Sequence, residues 1–216
     1  MVHLISTGII GVATLLLGTM PSDADGGSVS IIIVRHSEVD ASRVNQPVIP
    51  LSQRGQARAE LLAQTLRDLK FTHVFSTHTT RSRDTIAAIA AKQNLAIVQF
   101  PEPGSLLYGN RVTDQTPRRA AIEPLSDAVL KLPSGSVVLL SLNSENIYAI
   151  LNKLGVPAAA PGQSCPSGSM CVPCTDNNCF PREDYDRVWY LVREPSRSKP
   201  LAFFQFRYGA GWRGLD

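Results

Sequence analysis

The sequence predicts an α/β fold: three layers, α/β/α, with a mostly parallel central sheet and a C-terminal antiparallel hairpin. Two unbroken apolar runs carry that prediction, Ser30-Ile31-Ile32-Ile33-Val34 and Val137-Val138-Leu139-Leu140-Ser141-Leu142. A strand covered on both faces reads as a continuous hydrophobic segment, whereas a half-exposed one alternates. The third observation is the β-α-β-α order that follows the first run. The opening strand ends directly in Arg35-His36-Ser37-Glu38. After a loop with Pro47 and Pro50, Ser52 is the candidate N-cap of a helix rich in Ala, Leu, Gln and Arg that extends to Lys70. His73–Ser76 is a short second strand, and a helix from about Arg81 to Lys92 places Ile86, Ile89 and Ala90 on one face. Leu95–Phe100 is a third strand, and Pro101, Pro103 and Gly104 open an irregular stretch running to Pro117. Pro124 bends the next helix or delays its start. The second apolar run then ends in Asn143-Ser144-Glu145-Asn146 and enters a helix closed by Gly155. Arg187–Arg193 and Leu201–Tyr208 form the closing hairpin. Two strands thus deliver polar residues to one edge, the edge where open α/β sheets hold their ligands.

A chain of 216 residues with 44% apolar residues fits one packed domain, and no repeat of solenoid period is present. The formal charge is +3 and the basic residues are scattered, so neither a nucleic-acid stripe nor a polybasic membrane patch is visible. Leu4 to Leu17 form an apolar stretch too short to span a bilayer comfortably, followed by Pro21 and the small-x-small triplet Ser22-Asp23-Ala24. Residues 1–24 therefore read as a secretory signal peptide, with residues 25–216 as the domain and an exported destination, periplasmic or extracellular. Met1-Val2-His3 has no Lys or Arg, which leaves an uncleaved anchor as the alternative. Cleavage would remove one acidic residue, Asp23, and take the charge from +3 to +4.

Arg35, His36 and Arg81 together suggest phosphoryl transfer. Guanidinium forks match paired phosphate oxygens, and a neutral imidazole can attack phosphorus. Arg35-His36-Ser37-Glu38 resembles the Arg-His-Gly-Glu or Arg-His-Ala-Glu signature of the histidine phosphatase superfamily, the phosphoglycerate-mutase-like proteins. Pro50 to Ala59 is similar to that family's Leu-Ser/Thr-x-x-Gly-x-x-x-Ala helix start, and Thr80 to Thr85 resembles its Arg-x-x-x-Thr-Ala segment. Tyr185-Asp186-Arg187 and Phe206-Arg207-Tyr208-Gly209 resemble the ending of small exported bacterial members. The resemblance covers about residues 30–157 and 183–209. It implies a phosphomonoesterase in which His36 becomes phosphorylated while Arg35 and Arg81 hold the phosphoryl oxygens. The partner it implies is a small phosphorylated substrate or inorganic phosphate; no cofactor, no metal, no nucleic acid and no membrane beyond the export signal are expected. Ser37 stands where the family keeps Gly or Ala and either contacts phosphate or is tolerated; Glu38 orients the loop. His73 reads as a strand residue and His78 as a loop residue near the pocket mouth, neither a ligand.

Family members carry a second catalytic histidine in a pattern like Gly-His-Ser-Asn-Thr; here the matching segment is Leu142-Asn143-Ser144-Glu145-Asn146. Asn143 can donate a neutral hydrogen bond to phosphate but cannot hold a proton, a loss of about 1.5–3 kcal/mol, roughly ten- to a hundredfold in rate. Asn is also a favoured N-cap, so Asn143 has a structural reading as well. Weakened turnover and a catalytically inactive protein that binds a phosphorylated ligand or a partner are the two resulting alternatives. The general acid is unassigned, with Glu102 and Asp114 as weak candidates. An insertion at about 160–182 carries Cys165, Cys171, Cys174 and Cys179 amid Pro, Ser, Gly and Asn, and reads as ordered but outside the core. With an export signal upstream, two disulfides are favoured over a tetrahedral zinc ion, and spacing does not choose among the three pairings.

Overall fold

The computed structural model describes residues 27–43, 49–100, 106–107, 110–111, 118–174 and 184–209. The predicted leader, Glu102, Asp114 and Cys179 lie outside them. The sheet is built from β1 (Val29–Arg35), β2 (His73–Thr77), β3 (Ile97–Phe100), β6 (Val137–Leu142), β7 (Arg187–Arg193) and β8 (Ala202–Arg207), in the order β3-β2-β6-β1-β7-β8. β4 (Leu106–Leu107) and β5 (Asn110–Arg111) form a separate two-stranded ribbon. β3, β2, β6 and β1 are mutually parallel, while β7 runs antiparallel to β1 and β8 antiparallel to β7.

β1 and β6 lie side by side at the centre, which explains why both read as unbroken apolar runs. Alternate residues serve opposite layers. Ile31, Ile33, Leu140 and Leu142 face one layer, packing with Ile122, Leu125 and Val129 of α3 (Arg118–Leu130) and Ile147, Ile150 and Leu151 of α4 (Ser144–Lys153). Ile32, Val34, Val74 and Leu139 face the other, against Leu62 of α1 (Gln53–Thr65) and Ile86, Ile89 and Ala90 of α2 (Thr80–Lys92). Each such fully buried aliphatic side chain contributes about 1.5–3 kcal/mol relative to exposure. The three-layer α/β/α architecture follows from this two-sided burial.

α1 begins as expected, with the Ser52 hydroxyl accepting from the Gly55 N–H at 3.0 Å. It ends at Thr65 rather than Lys70: Arg67 N–H bonds Gln64 O and Leu69 N–H bonds Leu66 O, a tightened turn that carries Leu66 and Phe71 into the core. α3 starts six residues ahead of Pro124 and runs through it, so the proline does not delay the helix. Gly155 closes α4 at φ +89°, and a Cβ there would lie 2.5 Å from Ser198 O, so both conformation and packing call for glycine.

The cysteine-rich insertion departs from expectation. Val172 and Cys174 are fully buried, and Val172 belongs to the same apolar cluster as α3 and α4. It is pinned by Val172 N–H to Pro157 O and Cys174 N–H to Gln163 O. Across the described residues 160–174 the Pro and Ser side chains lie mostly at the outer surface, while Val172 roots the segment in the core. Cys165 and Cys171 form a disulfide, and Cys174 is disulfide-bonded as well.

Candidate active site

Four segments meet at the carboxyl edge of the parallel strands. β1 ends in Arg35 and leads to His36; β6, its parallel neighbour with Arg35 opposite Leu142, leads to Asn143. β2 leads through Thr77 to the start of α2 with Thr79, Arg81 and Ser82. β7, being antiparallel, begins at this same edge, so Asp184 and Tyr185 arrive there just before it.

His36 N–H donates to Leu142 O at 2.9 Å, prolonging the β1–β6 ladder by one step. Its ring is buried, and Nδ1 lies 2.7 Å from the Ser37 carbonyl oxygen. A carbonyl can only accept, so Nδ1 carries the proton and the lone pair resides on Nε2. Burial first, then the charges of Arg81 and Arg35, push the imidazole down to about 3, against the opposing pull of the Ser37 carbonyl. Before any anion binds, the ring is therefore neutral at pH 7. Both guanidinium groups stand close enough to act on it.

The Arg35 guanidinium lies over the Tyr185 ring, 4.1 Å from its centroid, and its Nη1 donates to Asp184 O at 3.3 Å. The Tyr185 ring also flanks His36, with centroids 6.0 Å apart. Asp184 is buried between Arg187 and Arg207, at 2.6 and 2.8 Å. Tyr185 and Asp184 are site residues that sequence reasoning missed; the Tyr185-Asp186-Arg187 block marked the place, but only the antiparallel direction of β7 brings it to the histidine.

The loop after His36 is fastened from outside. Glu38 accepts a bidentate pair from Arg58, with Nε at 2.7 Å and Nη2 at 2.5 Å, and Arg54 Nε lies 3.3 Å away. The Glu38 carbonyl accepts from Ser52 N–H at 3.0 Å, and a Cβ on Gly55 would sit 2.0 Å from that same oxygen. The glycine of the helix-start motif is thus required by contact with the loop that carries His36. The Ser37 N–H donates to Thr85 Oγ1 at 2.8 Å, and Thr85 Oγ1 donates to Arg81 O at 2.8 Å, tying that loop to α2. The Ser37 hydroxyl itself has no solvent-exposed surface.

Asn143 occupies the N-cap position of α4, yet its side chain makes no cap bond. Its Oδ1 accepts instead from Ser82 Oγ at 3.3 Å. Ser82, fully buried, also accepts from Thr77 Oγ1 at 2.7 Å and Thr79 Oγ1 at 3.0 Å. His73 lies at the opposite end of β2, against Phe75 and Thr72, and His78 is partly exposed beyond β2. Among the described residues no three His, Cys, Asp or Glu side chains gather to hold a metal ion, and no helix is long and apolar enough to cross a membrane.

A buried neutral imidazole under the influence of two arginines thus stands at the carboxyl edge of a three-layer α/β sheet. Residues 31–110 match the family described as histidine phosphatase superfamily (branch 1). It is similar to fructose-2,6-bisphosphatase TIGAR of Bos taurus, 31% identical over 106 residues that make up 45% of this chain and 36% of that one. The chain thus matches about a third of the length of that curated relative. The protein histidine phosphatase SixA complexed with tungstate is similar in structure, at 16% identity and TM-score 0.51, covering 84% of this chain and 98% of that one. So is a phosphoserine phosphatase from Entamoeba histolytica in complex with 3-phosphoglyceric acid, at 12% identity and TM-score 0.52, covering 83% and 98%. At these identities the likeness carries the fold.

Proposed function

We propose that the protein is a phosphomonoesterase that forms a phosphohistidine on Nε2 of His36 and turns over weakly because Asn143 stands where its relatives carry a histidine. The observation that carries this reading is the tautomer: Nδ1–H committed to the Ser37 carbonyl at 2.7 Å leaves the Nε2 lone pair as nucleophile. In the first step Nε2 attacks phosphorus as the bond to the leaving oxygen breaks, and that oxygen departs with a proton taken from solvent. The equatorial oxygens place their charge on the guanidinium groups of Arg35 and Arg81 and on the Asn143 amide. Phosphorylation makes the ring cationic, and the Ser37 carbonyl stabilises that charge. Water then attacks phosphorus, orthophosphate leaves, and neutral His36 returns. The substrate is a small phosphomonoester. The Cys165–Cys171 disulfide fits an oxidising compartment, and export of the mature chain is part of this reading.

A non-catalytic protein that binds a phosphorylated ligand or a partner is the second reading, favoured by the single fact that Asn143 holds no titratable proton. Trapping of acid-labile phosphate on the chain with a generic aryl phosphate separates the two, alongside His36→Ala and Asn143→His. Label in the parent that disappears in His36→Ala supports the enzyme. No label and no turnover in the parent, with activity gained in Asn143→His, leaves only the binding reading.

A further inference from the structure

We infer that Ser82 is a positioning residue that sets which end of the Asn143 amide meets the phosphoryl group. This inference rests on the proposed function and concerns the same site. A hydroxyl has one proton and two lone pairs. Thr77 Oγ1 at 2.7 Å and Thr79 Oγ1 at 3.0 Å donate to Ser82 Oγ and occupy both lone pairs. The Ser82 proton is left for Asn143 Oδ1 at 3.3 Å. Turning the amide over would aim N–H donors at an oxygen whose acceptor capacity is already used. Ser82 is fully buried, so water does not supply an alternative partner.

The strand order gives this orientation its consequence. β6 lies between β2 and β1 in the sheet. Ser82 is on α2, which follows β2, whereas His36 follows β1, so Asn143 stands between them. With its oxygen drawn to the β2 side, the amide would present its NH2 group toward the β1 side, where His36 lies and where the phosphoryl group of the proposed reaction would bind. In that orientation Asn143 offers donors to an anion. In the reverse orientation it would offer a carbonyl oxygen and repel it. The side chain that replaces the family's histidine is therefore made useful by a serine 61 residues away.

The test is calorimetric titration of the full chain with inorganic phosphate. Ser82→Ala weakens phosphate about three- to tenfold, the worth of one net hydrogen bond. In an Asn143→Ala background the same substitution changes affinity by less than about twofold, because its effect passes through the amide. A merely structural serine would give the same loss in both backgrounds, and that additivity overturns the inference. Asn143→Asp, which places oxygen at both ends of the group, weakens phosphate at least as much as Asn143→Ala; equal or tighter binding than the parent overturns the inference even if Ser82→Ala does not fold. A parent chain that does not bind phosphate overturns the proposed site as well. Parent binding that is unmoved by Ser82→Ala overturns the positioning role alone.

Discussion

The ends of β1 and β6 make the same move in the chain. Each is a parallel central strand of Ile, Val and Leu that stops at the carboxyl edge and turns into polar residues, and the two are joined by the His36 N–H to Leu142 O bond. Their chemistry diverges at the first residue past the strand. At the end of β1 a neighbouring backbone carbonyl, Ser37 O, fixes a neutral imidazole with its lone pair on Nε2. At the end of β6 a side chain from another element, Ser82 on α2, holds an amide. One junction is organised locally and, in the proposed reaction, supplies the nucleophile; the other is organised at long range and, in that reaction, supplies neutral donors. The difference teaches that the sheet edge provides position, while reactivity depends on the single side chain placed there and on what holds it.

The largest effect expected is at the β1 end. His36→Ala should lower hydrolysis of an aryl phosphate by about a thousandfold or more, since it removes the imidazole that carries the proposed covalent intermediate. Residual turnover near the parent value would break the comparison. Arg81→Ala comes next, at about a hundredfold loss in kcat/KM, because it removes a charge that stabilises the developing oxyanion. A change confined to thermal stability would mean that Arg81 is structural.

Asn143→His sharpens the comparison by making the two junctions alike. It should raise turnover by roughly ten- to a hundredfold, the value of a charged over a neutral donor. The smallest effect is on stability. The folded chain keeps His36 neutral to about pH 3, whereas the unfolded chain takes up that proton near 6.5, so acid favours unfolding between those values. Urea unfolding should show about 2 kcal/mol less stability at pH 5 than at pH 7 from this residue. The loss should be absent from the difference between parent and His36→Gln only if His36 is accessible and ordinary.

Much of this was legible in the residues. The central strands are legible because burial on both faces leaves room for few polar side chains, Ser141 among them, and His36 stands out because it follows such a strand without a gap. Gly55 was legible as part of a helix start, although its reason, the Glu38 carbonyl against its Cα, is a contact between segments. The end of α1 was misread because an Ala-, Leu- and Arg-rich run continues past Thr65, while the demand of Leu66 and Phe71 for the core ends the helix there. The insertion reads as lying outside the core because most of its described residues, 160–174, are exposed and their composition conceals the buried Val172.

Periodicity and strand-to-helix punctuation are local properties, written within a few residues of each other. They were enough to establish a three-layer α/β/α sheet and to single out Arg35 and His36, while the resemblance to the histidine phosphatase superfamily pointed to the parts expected of Arg81 and Asn143. Which way Asn143 turns, and that Tyr185 lies beside both Arg35 and His36, depend on atoms brought together from distant parts of the chain. Those were set by strand order and direction, because a hydrogen bond or ring contact exists only where packing places its two partners within a few ångströms.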